Sequence, residues 1–372
     1  MESSTVTATS SPLRVAIVGT GSIAALHAEA IANYADAELV AAVDISAERA
    51  AEFAREWNIP ATHASIDELL AAGRLDVVHV CTPPGLHAEQ TIRALDAGAH
   101  VVVEKPPALS LAQLDSMTDA AARNGRELAV VFQQRSGTAA AQVRALLMGG
   151  AFGRPLVATC QTLWYRDPAY FEVPWRGKWA TEGGGPTLGL GIHQIDLLAW
   201  LLGDWASVQG QLWRLGRDVQ TEDVSTAVLT FANGTVASVI TSALSPREVS
   251  SIRIDTEKAT ITVDHLYGHG HDNWSITPAP HVDAAEASAW ALPEFEEASG
   301  HDVLLRDIYD ALRVGEPLPS VAGTPARAFE IATALYSSAA TGRVVTPETL
   351  RDDVERCASL ESPVTDLRSI GA

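Results

Sequence analysis

Cysteine is scarce in this chain: three among 372 residues, at positions 81, 160 and 357. An odd, widely spaced set offers no disulfide framework and suits a reducing compartment. Basic residues are also in short supply, 26 against 46 acidic ones, for a formal charge of −20 at pH 7. That balance argues against nucleic acid or an anionic membrane as partner, since both require clustered Lys and Arg. Long apolar runs are missing too; the longest hold about six residues, against the roughly 20 that cross a bilayer. The opening MESSTVTATSSP has neither a basic start nor an apolar stretch, so residues 1–12 read as a frayed tail and the expected location is the cytoplasm. What is present is 47% hydrophobic and 19% charged residues, the composition of a folded chain long enough for two domains.

From Leu13 short apolar runs alternate with segments of helical period. LRVAIVG, ELVAAVD, DVVHVCTPP, HVVVEKPP and ELAVVF read as strands, with helices at 22–34, 46–57, 86–97 and 111–124, one closed by Gly98 at C′. Strands separated by helices in this rhythm imply a doubly wound parallel sheet, expected to end near Phe132 within a domain spanning 13–134. After a helix at 138–148 the pattern changes, and strands follow one another with only turns between them; Asn233-Gly234 signals a tight hairpin. A second, α+β domain built on a mainly antiparallel sheet is expected over 135–345, with helices at 303–314 and 325–341, a long surface loop before them, and a C-terminal tail over 346–372.

VAIVGTGSIA sets Gly19, Gly21 and Ala24 in G-x-G-x-x-A spacing straight after a strand, with Ser22 and Ile23 opening a helix. Such a turn lets a pyrophosphate approach the backbone at the positive helix end. Asp44 closes the second strand about twenty residues on, where a carboxylate accepts from a ribose diol and repels a 2′-phosphate. Ile45 and Ser46 follow with no arginine beside Asp44, which favours NAD over NADP. Ligands of open parallel sheets sit at the carboxyl ends of strands, which singles out Cys81, Thr82 and Pro83 as well as Glu104 and Lys105. His87 either reaches the same crevice or faces water at a helix start. Lys105 reads two ways: as a strand-end ammonium paired with Glu104 at the surface, or as a proton relay favoured in its neutral form by desolvation and a cationic nicotinamide. Gln133 and Gln134 follow the last strand of this domain, where contact with cofactor or substrate is expected.

Taken together, GTGSIA, CTPPGLHAEQTIRALDAGAHVVVEKPPALS and GGGPTLGLGIHQIDLLAWLLG resemble the Gfo/Idh/MocA family, named for glucose–fructose oxidoreductase and inositol dehydrogenase. The likeness runs from about Leu13 to Thr341 with the motifs in the family's order. It implies a Rossmann domain plus an open-faced antiparallel sheet used for homodimer or homotetramer contacts. It also implies NAD(P)-dependent oxidation or reduction of sugars, anhydrosugars, inositols and related polyols. By the same resemblance Lys105 matches the family's catalytic lysine, flanked by Glu104 and Pro106, and His193 the histidine that serves with it. Many members carry an aspartate four residues before that histidine; here the position is Gly189, and Asp196 is the nearest substitute.

Read from the residues, His193 and Asp196 stand at i, i+3 on one helix, where the carboxylate either orients the imidazole for proton exchange or serves a local hydrogen bond. The stretch WYRDPAYFEVPWRGKWATEGGG packs aromatic residues around basic ones, either to hold a sugar or to clamp a loop. Trp175 and Arg176 lead the expected substrate contacts, followed by Lys178 and Tyr165; Arg176 is also an expected cofactor contact. The cluster Asp264, His265, His269, His271 and Asp272 reads as a rim loop, and no metal site is expected. Two other functions remain open: an NAD-dependent glycosidase acting by transient oxidation and elimination, and a non-catalytic dinucleotide-sensing protein.

Overall fold

The computed structural model describes residues 11–265, 267–319 and 326–368; of the expected N-terminal tail only Ser11 and Pro12 fall among them. The chain divides into two compact units, the first made of 1–108, 113–131 and 301–325, the second of 109–112, 132–300 and 326–372.

The first unit runs β1 (Leu13–Val18), α1 (Ser22–Ala32), β2 (Ala37–Val43), α2 (Ala47–Glu56), β3 (Ala61–His63), α3 (Ile66–Ala72), β4 (Val77–Val80), α4 (His87–Asp96), β5 (His100–Val103), α5 (Leu111–Asn124) and β6 (Leu128–Val130). The six strands form one sheet in the order β3-β2-β1-β4-β5-β6, every pairing parallel. This is the doubly wound topology expected from the alternation of strands and helices. β4 is buried along its whole length, because helices cover both faces of a parallel sheet; its continuous Val/His run therefore needs no polar alternation. Serines start the helices: Ser46 Oγ accepts from Arg49 N ahead of α2, and Ser65 does the same for Glu68 N ahead of α3. Gly98 follows α4 at φ +87°, in the expected left-handed stop.

The second unit begins with α6 (Thr138–Met148), β7 (Pro155–Tyr165), the single turn α7 (Trp179–Glu182) and α8 (Ile192–Leu202). A π-helical stretch, Thr187–Gly191, leads directly into α8. There follow β8 (Trp205–Arg214), β9 (Val224–Phe231), β10 (Val236–Ser242), β11 (Leu244–Thr256), β12 (Ala259–Asp264), β13 (Trp274–Pro278) and α9 (Ala284–Ser288). In the hairpin between β9 and β10 only Gly234 enters the left-handed region, at φ +87°, while the Asn233 side chain accepts from Thr235 N and Oγ1. The connection is thus a four-residue turn rather than the mirror-image two-residue type, which needs positive φ at both centres.

The next helix, α10 (His301–Val314), returns to the first unit, where Leu304, Leu305, Ile308 and Tyr309 join the core around α1 and β1. The sequence reading ran the second domain without a break from 135 to 345. The apolar stripe of α10 was legible, but a stripe does not say which core it joins. α11 (Ala326–Thr341) goes back to the second unit and packs on β8 and α8. α12 (Pro347–Asp352) and α13 (Val354–Ala358) follow, then β14 (Thr365–Asp366), which pairs with β8. The stretch expected as a tail is therefore folded over much of its length, with Leu350 and Leu360 buried. The second sheet has eight strands in the order β13-β12-β11-β7-β10-β9-β8-β14, antiparallel except for β10–β7 and β14–β8. Among the described residues no helix is long and apolar enough to cross a membrane.

Candidate functional site

At the carboxyl ends of the first sheet, three loops close on one another. Gly19 has φ +92°, and a Cβ there would stand 2.9 Å from the backbone of Cys81 and Thr82, so only glycine lets the β1 turn pass the end of β4. A Cβ on Gly21 would meet nothing within 4 Å, which leaves open space at the mouth of α1. No side chain caps α1 and no acidic residue stands in its first turn, so its partial positive charge is available to an anion. The residues present therefore fit a dinucleotide pyrophosphate.

Asp44 ends β2 with both oxygens engaged. Oδ2 accepts from Thr20 N (3.1 Å) and Thr20 Oγ1 (2.8 Å), and Oδ1 from Ser46 N (2.8 Å) and Arg49 Nη2 (2.7 Å). Burial pushes this carboxyl up, but the hydrogen bonds from Arg49, Ser46 and Thr20 outweigh it and hold it below the usual carboxylate range. Arg49 corrects the expectation that no arginine stands near Asp44: it reaches back from the first turn of α2 with its side chain 58% exposed. Ile45 is 90% exposed beside them.

Cys81 is buried, and burial pushes its thiol well up, which makes it a packing residue rather than a nucleophile. The Thr82 hydroxyl donates to Gln90 Oε1 at 2.6 Å. His87 does not face water. Its ring is buried, with Nδ1 2.8 Å from Pro106 O and Nε2 2.6 Å from Thr82 O, so it ties the β4 loop to the Lys105–Pro106 turn. Burial lowers its pKa, and a neutral ring donates to one of those carbonyls. Glu104 is buried; its Oε2 accepts from Lys105 N at 3.1 Å and its Oε1 lies 3.1 Å from His27 Nε2 and 3.3 Å from His301 Nε2. Lys105 itself is half-buried, and its bond to Pro106 is cis.

In the second unit a small pocket is lined by Arg166, Tyr170, Phe171, Glu182, Gly185, Pro186, Gly189, Leu190 and Ala243. Arg176 stands against it with its guanidinium 3.8 Å from the Tyr170 ring centre and 4.3 Å from that of Trp175. It donates to the Tyr170 hydroxyl and, at 3.4 Å, to Glu182 Oε1; Glu182 Oε2 accepts from Gly177 N at 2.5 Å. The structure thus brings together the expected Trp175 and Arg176, and adds Tyr170 and Glu182. Tyr165 and Lys178 turn to other partners: Arg217 lies over the Tyr165 ring at 5.3 Å, and Lys178 Nζ donates to Pro174 O at 2.7 Å.

His193 is buried in the first turn of α8, a helix with no exposed residue, immediately after the π-helical stretch. Such stretches recur at functional sites. Asp196, on the same helix, is held by Arg135: Oδ2 accepts from Nε at 2.5 Å and Oδ1 from Nη2, with both side chains almost fully buried. Burial raises the Asp196 pKa, and Arg135 opposes that rise. Gln134 Oε1 accepts from Gln194 at 3.0 Å, whereas the buried Gln133 Oε1 has no hydrogen-bond partner. The turn GGGPT is fastened by Glu222, which sequence reading passed over; this buried carboxylate accepts from Gly185 N (3.0 Å), Thr187 N (3.1 Å) and Tyr336 Oη (2.9 Å). Of the histidine-rich rim, His271 meets Thr138 Oγ1 at 2.7 Å, His265 Nδ1 accepts from Tyr267 N, and the buried His269 packs on Trp274.

Residues 13–132 match the family model described as an oxidoreductase family with an NAD-binding Rossmann fold, and residues 140–262 match the GFO/IDH/MocA C-terminal domain. The chain is 37% identical over 199 residues to the D-glucoside 3-dehydrogenase of Escherichia coli strain K12, covering 52% of this chain and 55% of that protein. It is 35% identical over 167 residues to the 1,5-anhydro-D-fructose reductase of Ensifer adhaerens, covering 45% of this chain and 50% of that one. The chain spans about half the length of these relatives. Among solved structures it is similar to the WlbA dehydrogenase from Bordetella pertussis in complex with NADH and UDP-GlcNAcA, at 29% identity and a TM-score of 0.81, covering 91% of this chain and 98% of that one.

Proposed function

The chain belongs to the Gfo/Idh/MocA family of NAD(P)-dependent oxidoreductases, and from that premise we propose that it moves a hydride between nicotinamide and a hydroxyl-bearing carbon of a sugar, anhydrosugar or inositol-type polyol. The observation that carries this reading is the crowding of Gly19 against Cys81 and Thr82 beside the uncapped start of α1, with Asp44 at the next strand end. Likeness to a D-glucoside 3-dehydrogenase favours an intact glycoside within that substrate class.

The nicotinamide supplies the hydride acceptor for oxidation, or the donor for reduction. In the oxidative direction, with hydride uptake supplied by a dinucleotide that would be held at residues 19–24 and Asp44, the chain's own residues would have to accept the proton of the substrate hydroxyl. Lys105 takes that proton on Nζ, and His193 is proposed separately as an acid–base group of the second unit. Tyr170 and Trp175 offer ring faces to sugar C–H surfaces, with Arg176 donating to hydroxyls. Glu182 supplies the acidic acceptor that Gly189 lacks. The unpartnered Gln133 Oε1 accepts a ligand hydroxyl or amide. Asp44 favours NAD, and Arg49 tempers that preference. A second copy of the chain covers the outer face of the eight-stranded sheet, where Val157, Val228 and Val236 are about half exposed.

The test is absorbance of NADH from purified protein given NAD and a panel of glucosides, free sugars, anhydrosugars and inositols. Lys105→Ala should then cut turnover by roughly 10² to 10⁴ while NAD affinity holds. Cleavage of an aryl glycoside without NADH accumulation would instead favour oxidation–elimination. Tight NAD binding with neither outcome would leave a sensing protein.

A further inference from the structure

Behind the Glu104–Lys105 turn, and wholly within the first unit, lies a row of buried polar side chains that the hydride-transfer reading does not use. Tyr309 Oη is 2.6 Å from His79 Nε2, His79 Nδ1 is 2.7 Å from His27 Nδ1, and His27 Nε2 is 3.1 Å from Glu104 Oε1. Tyr309, His79 and His27 are fully buried, so these bonds are shielded from bulk solvent.

Proton bookkeeping fixes the direction of the row. A neutral imidazole carries one proton, and the Nδ1–Nδ1 contact needs one between the two rings. If His27 carried it, its bare Nε2 would face a carboxylate oxygen, and Glu104 would have to be protonated. If His79 carries it, His27 is left with Nε2–H to donate to Glu104, and the Tyr309 hydroxyl donates to His79 Nε2. Only the second arrangement matches every donor to an acceptor with Glu104 as an anion. Burial lowers the pKa of both rings and disfavours an imidazolium. Burial also pushes Glu104 up, but His27 and His301 outweigh it and hold its carboxyl well below the usual range.

We propose that Tyr309, His79 and His27 form a one-way hydrogen-bond chain whose role is to keep Glu104 ionised and fixed beside Lys105. They are positioning residues: none is assigned a contact with substrate, and their effect passes through Glu104 to the amine. The groups facing Glu104 are His27 from α1, His79 and Cys81 at β4, His87 from α4, His301 from α10, and Lys105 next to it in the chain, while Tyr309, also from α10, stands at the far end of the row. Among them Lys105 is the lone cation at neutral pH when the rings are neutral, so a lasting anion at Glu104 favours its ammonium form. His301 and Tyr309 both come from α10, which returns to this unit from far along the chain.

The kinetic part rests on Lys105 carrying the substrate proton; the tautomer part does not. The first test is long-range proton–nitrogen correlation NMR on histidine-ring-labelled protein, assigned with His27→Gln and His79→Asn. His79 should be protonated at Nδ1 and His27 at Nε2, both neutral at pH 7 and above. The reverse order, an imidazolium, or a cation bound in place of the His27 Nε2 proton overturns the chain. The second test is the pH dependence of kcat/KM for oxidation. Glu104→Gln removes the anion and should move the acid limb down by about one pH unit. Tyr309→Phe removes the terminal donor, weakens the directional preference and should move the limb the same way by less. An unmoved limb in both variants, with the expected tautomers in place, overturns the positioning role. Full activity in Lys105→Ala would instead remove Lys105 from the proposed proton transfer and leave the tautomer assignment standing, whereas no NADH formation by the parent protein on any of the substrates would sink the proposed function.

Discussion

Glu182 Oε1 lies 3.6 Å from where a Cβ on Gly189 would stand, so a carboxylate from α7 occupies the space that a side chain at position 189 would enter. Both residues line the same pocket, one turn before His193. A carboxylate absent from one point of the sequence is thereby present in space, carried by another element.

Exchange of that carboxylate is testable. Glu182→Gln keeps the shape but removes the charge, and kcat/KM should fall by roughly a hundredfold if the group takes part in proton exchange. Gly189 is outside the left-handed region and its added Cβ would make only ordinary contact, so the backbone tolerates a side chain there, and an aspartate carboxylate would meet that of Glu182. Gly189→Asp alone should lose activity, because two carboxylates then share one site and one of them protonates. The double variant should recover part of the loss. Equal loss in the single and double variants would deny Glu182 this role.

Cofactor choice turns on Asp44 and Arg49. All four donors on Asp44 are in place without a ribose, and Arg49 is the exposed one, so a ribose diol competes with it for Oδ1. Against a 2′-phosphate the same guanidinium becomes a partner. Arg49→Ala should therefore weaken NADP use by about tenfold, equivalent to about 1.4 kcal/mol, and leave NAD use unchanged or better. Asp44→Ala should erode the preference for NAD. Steady-state kcat/KM with each cofactor checks both, and a rise in NADP use after Arg49→Ala would reverse the assignment.

Histidines buried in neutral form make the fold acid-sensitive. Burial lowers the pKa of His27, His79 and His87, and takes His100 and His269 down to about 4. His100 Nδ1 also accepts from Glu127 N, a bond that a proton there would break. Each ring binds a proton in the unfolded chain near its ordinary pKa of about 6.5 but resists it in the folded one. Below that value the unfolded state holds more protons, so stability falls as pH falls, by up to about 1.4 kcal/mol per pH unit for each such ring. Urea midpoints should drop steadily between pH 7 and pH 5. A flat profile over that window would contradict it.

The Rossmann half was legible because its signals are local. A strand buried on both faces needs a continuous apolar run, and a turn pressed against Cys81 needs Gly19; both show in a few adjacent letters. Glu104 and Lys105 could be placed at a strand end for the same reason. What escaped depended on distant pairing. Arg49 meets Asp44 only because Ser46 starts α2 between them, a cue that the cap and its spacing did contain. His27, His79, His301 and Tyr309 sit on three elements and had no signature until α10 returned to the first unit. Glu182 lay within a stretch already noted for its aromatic residues, yet nothing in the letters said that its carboxylate would reach Gly189.

Asp196 is the case where spacing on one helix and packing across helices disagree. Its position beside His193 suggested an acid–base partner, but Arg135 grips both of its oxygens in an almost fully buried pair. Removing one member of such a pair strands the other charge in a low-dielectric site, at a cost of about 3–5 kcal/mol. Asp196→Asn should therefore lower the unfolding midpoint sharply. Replacing Arg135 by Met and Asp196 by Leu together should cost far less, since neither charge is then left alone. Turnover per folded molecule separates the two roles: a structural Asp196 leaves kcat within a few-fold of the parent, whereas a proton-handling one loses roughly a hundredfold or more in both variants. The buried bidentate geometry leads to the first outcome, measured as kcat corrected for active-site content.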